Sequence, residues 1–440
     1  MKIDQIDITN FRGFKHKTVQ FRSQVTVIIG NNTAGKTSLV KAVQVGLGEY
    51  LRCLKSLPGG TAYLRNFGSR DRHMEFNATL RDYVAGDDRP RITINGRFVQ
   101  SFLLNNNECN LQYIPLSWTR EYTGTSTTHS RANAGELMDA VSEMERLRYE
   151  NPTSVVYPLL LSFGAKRTND SQVTVYRKTK ERESRVEKAY KYALHDKVDF
   201  EGAMEWLRRY DKKIKDGKEF EGTREAFFEA LSTAIPALSE IDFDNGEIEA
   251  VVSVAGHTPE RHHFSYMSDG LQSMINIVSE IAHRCIELNG VFGKNAVRIT
   301  SGIVLIDEVD IYLHPHWQKH VLADLSNAFP NLQFIVTTHS PFIIQSLQQN
   351  QLISFDDDAN VDGEPYKEGL EDIASTRMGM KGQIRSRRFE EMMQLAGDYY
   401  AAVTEGKDEK EILEKLRRCE SEFSDNPAYV ALMRNEYKTR

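Results

Sequence analysis

Gly30-Asn31-Asn32-Thr33-Ala34-Gly35-Lys36-Thr37 carries two glycines, a lysine and a threonine at the spacing GxxxxGK[ST] of a phosphate-binding loop. Val25-Thr26-Val27-Ile28-Ile29 runs into it as an apolar stretch typical of a buried strand, and Ser38-Leu39-Val40-Lys41-Ala42-Val43 opens a helix behind it. Strand, glycine loop and helix in that order aim backbone amides and a helix N-terminus at one anion. A nucleotide suits such a cradle. The loop from Asn31 and Asn32 through Gly35 to Ser38 is expected to hold phosphate oxygens, Lys36 to reach the β and γ phosphates, and the Thr37 hydroxyl to join a Mg2+ shell.

A loop of this kind needs a carboxylate for Mg2+ at the end of a neighbouring buried strand. Ile303-Val304-Leu305-Ile306-Asp307-Glu308 supplies it, with Asp307 assigned to the metal and Glu308 placed to polarise an attacking water. The run Phe334-Ile335-Val336-Thr337-Thr338 ends in His339-Ser340-Pro341. Ligands of open α/β sheets gather at the carboxyl ends of strands, so His339 is expected on the same rim as a sensor of the γ-phosphate. The expected chemistry is hydrolysis of ATP with Mg2+, with Glu308 and His339 as the catalytic groups.

Away from the loop, Ile3, Ile6 and Ile8, then Val19 and Phe21, alternate as strands, and Met74–Tyr83 and Arg91–Val99 read as two more, the second interrupted by the turn pair Asn95-Gly96. Gly124–Gly135 reads as a polar loop, Glu136–Tyr149 as a helix and Val155–Phe163 as a strand. From about Tyr176 to Leu238 the sequence turns to charged helix. Strand signals return at Ile248–Val254, Gly302–Ile306 and Gln333–Thr337, with helices expected over Asp269–Leu288 and Trp317–Ala328. The alternation is that of an α/β protein. It divides the chain into an N-terminal ATPase lobe (1–165), a helical insertion (166–245), a C-terminal ATPase lobe (246–355) and a helical C-terminal extension (356–440).

Of the 440 residues, 40% are hydrophobic and 27% charged, a balance that excludes a mainly disordered or fibrous chain. The apolar runs are too short for a spanning helix, and Met1-Lys2-Ile3-Asp4-Gln5-Ile6 lacks a secretory pattern, so a cytoplasmic protein with no membrane partner is expected. Cys53, Cys109, Cys285 and Cys419 form no CxxC pair, which argues against a structural zinc site or disulfides and for buried or inert thiols. The net charge of −6 gives no global nucleic-acid footprint. Local contact would fall to Arg177, Lys178, Lys180, Arg208, Arg209, Lys212 and Lys213, although interleaved acids favour a solvated face. Asp356-Asp357-Asp358 reads as a solvated acidic turn and His257, His262 and His263 as surface groups, so no second metal site is expected.

Tyr266-Met267-Ser268-Asp269-Gly270-Leu271-Gln272 stands at a helix start, where Ser268 or Asp269 is suited to cap free amides. It also resembles the signature motif of ABC-type ATPases. With the Lys36 loop, Leu305-Ile306-Asp307-Glu308 and Thr338-His339-Ser340, it resembles the ATPase heads of the RecF, SMC and OLD group, and Ile8-Thr9-Asn10-Phe11-Arg12-Gly13-Phe14 is similar to that group's N-terminal segment. The resemblance implies a P-loop NTPase of ABC ATPase-head type, α/β, with the helical insertion and the helical C-terminal extension. It places Arg12 near the nucleotide, and it gives Ser268 and Gly270 the role of completing the ATP site of an opposite subunit, hence at least a homodimer. Thr33 stands where the group commonly has glycine, Asp269 where transporters carry the first signature glycine, and His314 where they carry an aspartate.

Tyr157–Arg167, Leu313-His314-Pro315 and the helical tail look most like the PtuA-like ATPases of Septu and retron-associated anti-phage systems. That implies a co-encoded HNH-type nuclease as partner, which would perform any cleavage, and DNA, RNA or a reverse-transcribed DNA-RNA hybrid as nucleic acid. A RecF-like DNA repair ATPase without a toxic effector is the alternative. The nucleotide-binding subunit of a membrane transporter is disfavoured by the N-terminal strand motif and the Leu-His-Pro segment.

Overall fold

The structure, a computed structural model, describes residues 1–86, 89–105, 108–165, 183–196, 200–244, 246–253, 258–356, 362–380, 386–424 and 426–438. Lys166, Arg167, Arg177, Lys178, Lys180, His257, Asp357 and Asp358 lie outside the described residues. Met1–Glu368 forms one compact unit and Gly369–Arg440 another. In chain order the strands are β1 (Lys2–Phe11), β2 (Phe14–Gln20), β3 (Val25–Ile29), β4 (Met74–Asn77), β5 (Asp82–Ala85), β6 (Arg91–Asn105), β7 (Glu108–Glu121), β8 (Leu159–Phe163), β9 (Leu238–Asp244), β10 (Glu247–Val252), β11 (Glu260–His263), β12 (Gly302–Ile306), β13 (Leu332–Thr337) and β14 (Leu352–Ser354).

A parallel sheet ordered β14-β3-β13-β12-β8 organises the first unit. Every residue of β3, β8, β12 and β13 is buried, which is why these strands are continuous apolar runs and do not alternate. Parallel pairing aligns their carboxyl ends: Ile306 lies beside Val336, Thr337 beside Ile28, and Ile29 beside Ser354. Gly30, Asp307, Thr338 and Phe355 therefore leave the sheet along one rim. β13 lies between the phosphate-loop strand and the Asp307 strand, so its end residues reach both.

An antiparallel sheet, β2-β1-β6-β7, stands beside this core. Buried Gln333 of β13 fastens the two sheets, accepting from Ile3 N at 2.8 Å and donating to Ile3 O at 2.7 Å. β6 runs straight through Asn95-Gly96, contrary to the expected turn, because that pair is matched on both sides, with Gln5 and Ile3 of β1 and with Ser117 and Leu116 of β7. Pairing on two edges outweighs a local turn preference. Met74–Tyr83, expected as one strand, folds into the hairpin β4–β5, where Asn77 Oδ1 accepts from the amides of Thr79 and Leu80. The strand expected from Val155 begins only at Leu159, after Pro158 and after Tyr157, whose amide donates to Asn289 Oδ1. The helix expected from Glu136 starts earlier, at Arg131, and the one expected over Trp317–Ala328 is broken at Lys319-His320.

The charged helical region is part of the first unit's core. Helix Thr223–Ala234 packs on helices Asp269–Asn289 and Val321–Ala328. Buried Trp206 and Phe227 have ring centroids 5.4 Å apart. Arg208 and Arg209 both pair with Glu205, and half-buried Lys213 approaches Glu219 at 3.6 Å. In the second unit, helices Arg387–Thr404, Glu409–Glu422 and Pro427–Lys438 enclose Tyr399, Ile412, Leu416, Cys419 and Met433. Among the described residues no helix is long and apolar enough to cross a membrane.

Candidate active site

Helix Lys36–Cys53 begins directly from the phosphate loop. Gly35, its N-cap, has φ 98°, and a Cβ there would stand 2.6 Å from Cζ of Phe14, so the loop demands glycine on two counts. Phe14, at the start of β2, is thus the wedge beneath the loop, with its ring across that of Phe355 at 6.0 Å and 85°. This contact gives the N-terminal segment its bearing on the site. Arg12 lies in the same turn, where its Nε donates to buried Asp71 at 2.7 Å and its amide to Asp71 O at 2.9 Å.

Lys36 Nζ donates to Gly30 O at 2.5 Å and Asn31 O at 2.9 Å. Burial pushes its pKa below the ordinary lysine value, opposed by the carboxylates of Asp356, Asp307, Glu308 and Asp310. Asp356 departs from the sequence expectation. Its two carboxylate oxygens accept from the Asn31 amide at 3.1 and 2.9 Å, because β14 ends beside β3 and delivers it to the loop.

Asp307 is held between two hydroxyls. Its Oδ2 accepts from Thr37 Oγ1 at 3.1 Å and its Oδ1 from Thr337 Oγ1 at 2.6 Å. Thr337 also accepts from the Glu308 amide at 2.8 Å. Glu308 adopts φ 53°, a left-handed conformation that a non-glycine residue rarely takes and that recurs at functional sites. Next along the rim, Asp310 Oδ1 accepts from Thr338 Oγ1 at 2.6 Å and from the His339 amide at 3.2 Å. Ser340 Oγ donates to Gln318 Oε1 at 2.6 Å, and Gln318 Nε2 donates to Leu313 O at 2.8 Å. The His339 segment is therefore tied to the chain that follows Glu308. The structure brings Lys36, Thr37, Asp307, Glu308 and His339 to one rim, and hard oxygens from Thr37 and Asp307 at that spacing suit Mg2+.

The signature is arranged otherwise. Ser268 and Asp269 are exposed, and Ser268 occupies the N-cap position of helix Asp269–Asn289 without a capping bond from its hydroxyl. Gly270 is buried, and a Cβ there would lie 2.6 Å from Tyr312 O and 3.3 Å from the Trp317 ring. Glycine thus lets the helix start close onto the segment following Asp307. Sequence reasoning gave no separate role to Thr337, Asp310, Gln318 or Phe14, and read Asp356 as solvated. A threonine ending a strand, an aspartate in a turn or an aromatic in an edge strand carries no distinguishing local pattern.

Two family models match the chain: an AAA ATPase domain over residues 1–51, and "AAA domain, putative AbiEii toxin, Type IV TA system" over residues 228–345. The first contains the phosphate loop, and the second contains the signature, Asp307-Glu308 and His339. The chain is similar to the "Retron Vc95 probable ATPase" of Vibrio cholerae serotype O1 biovar El Tor, 24% identical over 80% of this chain and 73% of that protein. It is similar to the "Retron Ec83 probable ATPase" of Escherichia coli, 22% identical over 80% of this chain and 71% of that protein. The Septu protein PtuA of Bacillus thuringiensis matches at 32% identity over 32% of this chain and 36% of its own length. Strand order and both domain matches place one nucleotide site on distant parts of a single chain, a P-loop ATPase similar to the retron ATPases and to Septu PtuA.

Proposed function

We propose that this chain is the ATP-driven switch of an anti-phage system, acting as a homodimer whose nucleotide state controls a separate nuclease. The observation that carries the reading is the cluster of Thr37, Asp307 and Thr337 at the phosphate loop, in a chain similar to retron ATPases over most of its length. Loop amides from Asn31 and Asn32 through Gly35 to Ser38 hold phosphate oxygens, and Lys36 exchanges its two carbonyl partners for them. Thr37 and Asp307 hold Mg2+, which supplies neutralising charge to the phosphates when bound. Glu308, fixed beside Asp307 by the hydrogen bond from its backbone amide to Thr337 Oγ1, takes the proton of the attacking water, a role worth about 10²–10⁴ in rate. His339, with its amide on Asp310, contacts the γ-phosphate. Arg12, fixed on Asp71, faces the nucleotide from the N-terminal turn. Ser268 and Gly270 complete the site of the opposite subunit.

The partner is an HNH-type nuclease encoded alongside, and the nucleic acid is DNA, RNA or a DNA-RNA hybrid. The direct test is to incubate the purified chain with ATP, plasmid and transfer RNA. ATP hydrolysis without cleavage is expected, with cleavage appearing only when the co-encoded nuclease is added; metal-dependent cleavage by the chain alone would contradict the reading. A 45-residue match, 42% identical, to the RecF replication and repair protein of Bacillus subtilis favours the repair alternative. Deletion of the gene separates the two, since lost phage protection follows from the first and sensitivity to DNA damage from the second.

A further inference from the structure

Roughly 20 Å along helix Lys36–Cys53 from the phosphate loop, Glu49 and Cys53 stand one turn apart on the same face. His129, from the segment before helix Arg131–Glu150, closes over them. A carboxylate oxygen, the thiol sulfur and an imidazole nitrogen of these three residues lie within 4.8 Å of one another. Glu49 is fully buried, Cys53 half-buried, and the His129 side chain 34% exposed, so the group has one open side. The segment carrying His129 is fastened. The Thr128 amide donates to Glu121 O at 2.9 Å, and the hydroxyls of Thr128 and Thr127 accept from the amides of Glu121 and Phe67 at 2.9 and 3.0 Å.

The polar bookkeeping of the pocket is incomplete. His129 Nδ1 is 2.6 Å from Glu49 Oε1. Glu49 Oε2 faces Arg120 Nε at 3.1 Å, an ion pair whose alignment is not that of a hydrogen bond, and both atoms are buried. Arg120 is anchored independently, donating to Val45 O at 2.7 Å, Arg65 O at 2.8 Å and Asn66 Oδ1 at 2.7 Å. The Glu49 carboxylate is thus held by the Arg120 charge on one side and by His129 on the other.

We propose that Glu49, Cys53 and His129 form a binding site for a zinc ion, with the fourth coordination position open to solvent. Thiolate, imidazole and carboxylate are the donor set of Zn2+, and the thiol disfavours Mg2+ and Ca2+. The Glu49 carboxylate and the Cys53 thiolate cancel the charge of the ion, and Arg120 remains as the outer partner that orients Glu49, leaving the group with one net positive charge. On binding, the Cys53 thiol gives its proton to solvent and the His129–Glu49 hydrogen bond is replaced by two bonds to the metal, so binding releases a proton. Such a site escapes CxxC spacing because its ligands come from one helix and a distant loop.

The test is zinc content of the full chain, purified without a metal-affinity step, loaded with Zn2+ and dialysed. Wild type and Lys36→Ala are expected to retain about one equivalent, and Cys53→Ser and His129→Ala less than about a tenth of that. Co2+ in place of Zn2+ should give a thiolate charge-transfer absorption that Cys53→Ser abolishes. His129 is exposed, so its truncation leaves the core packed, and the wild-type measurement depends on no variant. Wild type that retains less than about a tenth of an equivalent, or Cys53→Ser that retains as much as wild type, would overturn the proposal.

Discussion

The rim of the parallel sheet binds its polar groups to one another, whereas the signature helix start turns its own outward. At the rim, Asp307 is shared between Thr37 and Thr337, Glu308 is tied to Thr337 through its amide, and His339 is tied to Asp310. At the signature, Ser268 sits where a serine usually caps its helix, yet makes no such bond, and the residue behind it is packed to glycine tolerance against Tyr312. One part is set by contacts inside the chain, the other by packing from behind with its outward face left uncommitted. The contrast fits the proposed completion of the site by a second subunit.

The sharpest break of this contrast is at Glu308. Glu308→Gln should leave ATP binding intact and lower turnover by about 10²–10⁴, while Lys36→Ala should weaken nucleotide binding itself; fluorescent-nucleotide titration and single-turnover rates separate the two. Equal turnover in wild type and Glu308→Gln removes the residue from its assigned role. Next comes Thr337→Val, which deletes the hydroxyl serving both Asp307 and Glu308. A charge-assisted hydrogen bond of roughly 1.5–3 kcal/mol is lost, so turnover at limiting Mg2+ should fall about ten- to a hundredfold and return in Thr337→Ser.

At the signature the expected signs differ. Gly270→Ala should destabilise the chain by roughly 1–3 kcal/mol, because backbone at Tyr312 cannot yield cheaply. Ser268→Ala should shift stability by less than about 0.5 kcal/mol, against the usual cost of about 1 kcal/mol for a lost serine cap, and still lower turnover. Thermal unfolding beside ATPase rates shows this, and a large stability loss in Ser268→Ala would make the serine structural.

The smallest effect concerns protons. Burial lowers the Lys36 pKa, so the folded chain holds fewer protons than the unfolded one in the alkaline window below the ordinary lysine value, and its stability rises with pH there. Nucleotide phosphates favour the ammonium, so ATP binding in that window should take up protons, measured by calorimetry in buffers of different ionisation enthalpy. Binding heats independent of buffer would contradict it.

The placement of the rim residues was legible because they announce themselves by sequence neighbours: an apolar run into a glycine loop, another into Asp307-Glu308, a third into His339. What was not legible depends on spatial neighbours. Thr337 matters because β13 lies between β3 and β12, and Asp356 because β14 ends beside the loop. Asn95-Gly96 misled because a central strand overrides a turn pair, whereas the charged helices from Arg185 to Ala234 were read as helices with a solvated basic face, and their buried residues, Trp206 and Phe227 among them, are diluted by exposed charge.

The most direct test of the central claim mixes Lys36→Ala chains with Ser268→Arg chains. Each variant alone should be inactive, since every site in its dimer carries a lesion. A mixed dimer pairs an intact phosphate loop with an intact signature at one of its two sites, so equal mixing should restore about a quarter of wild-type ATP turnover. Activity of the mixture no greater than the average of the two variants alone would contradict a site shared between subunits.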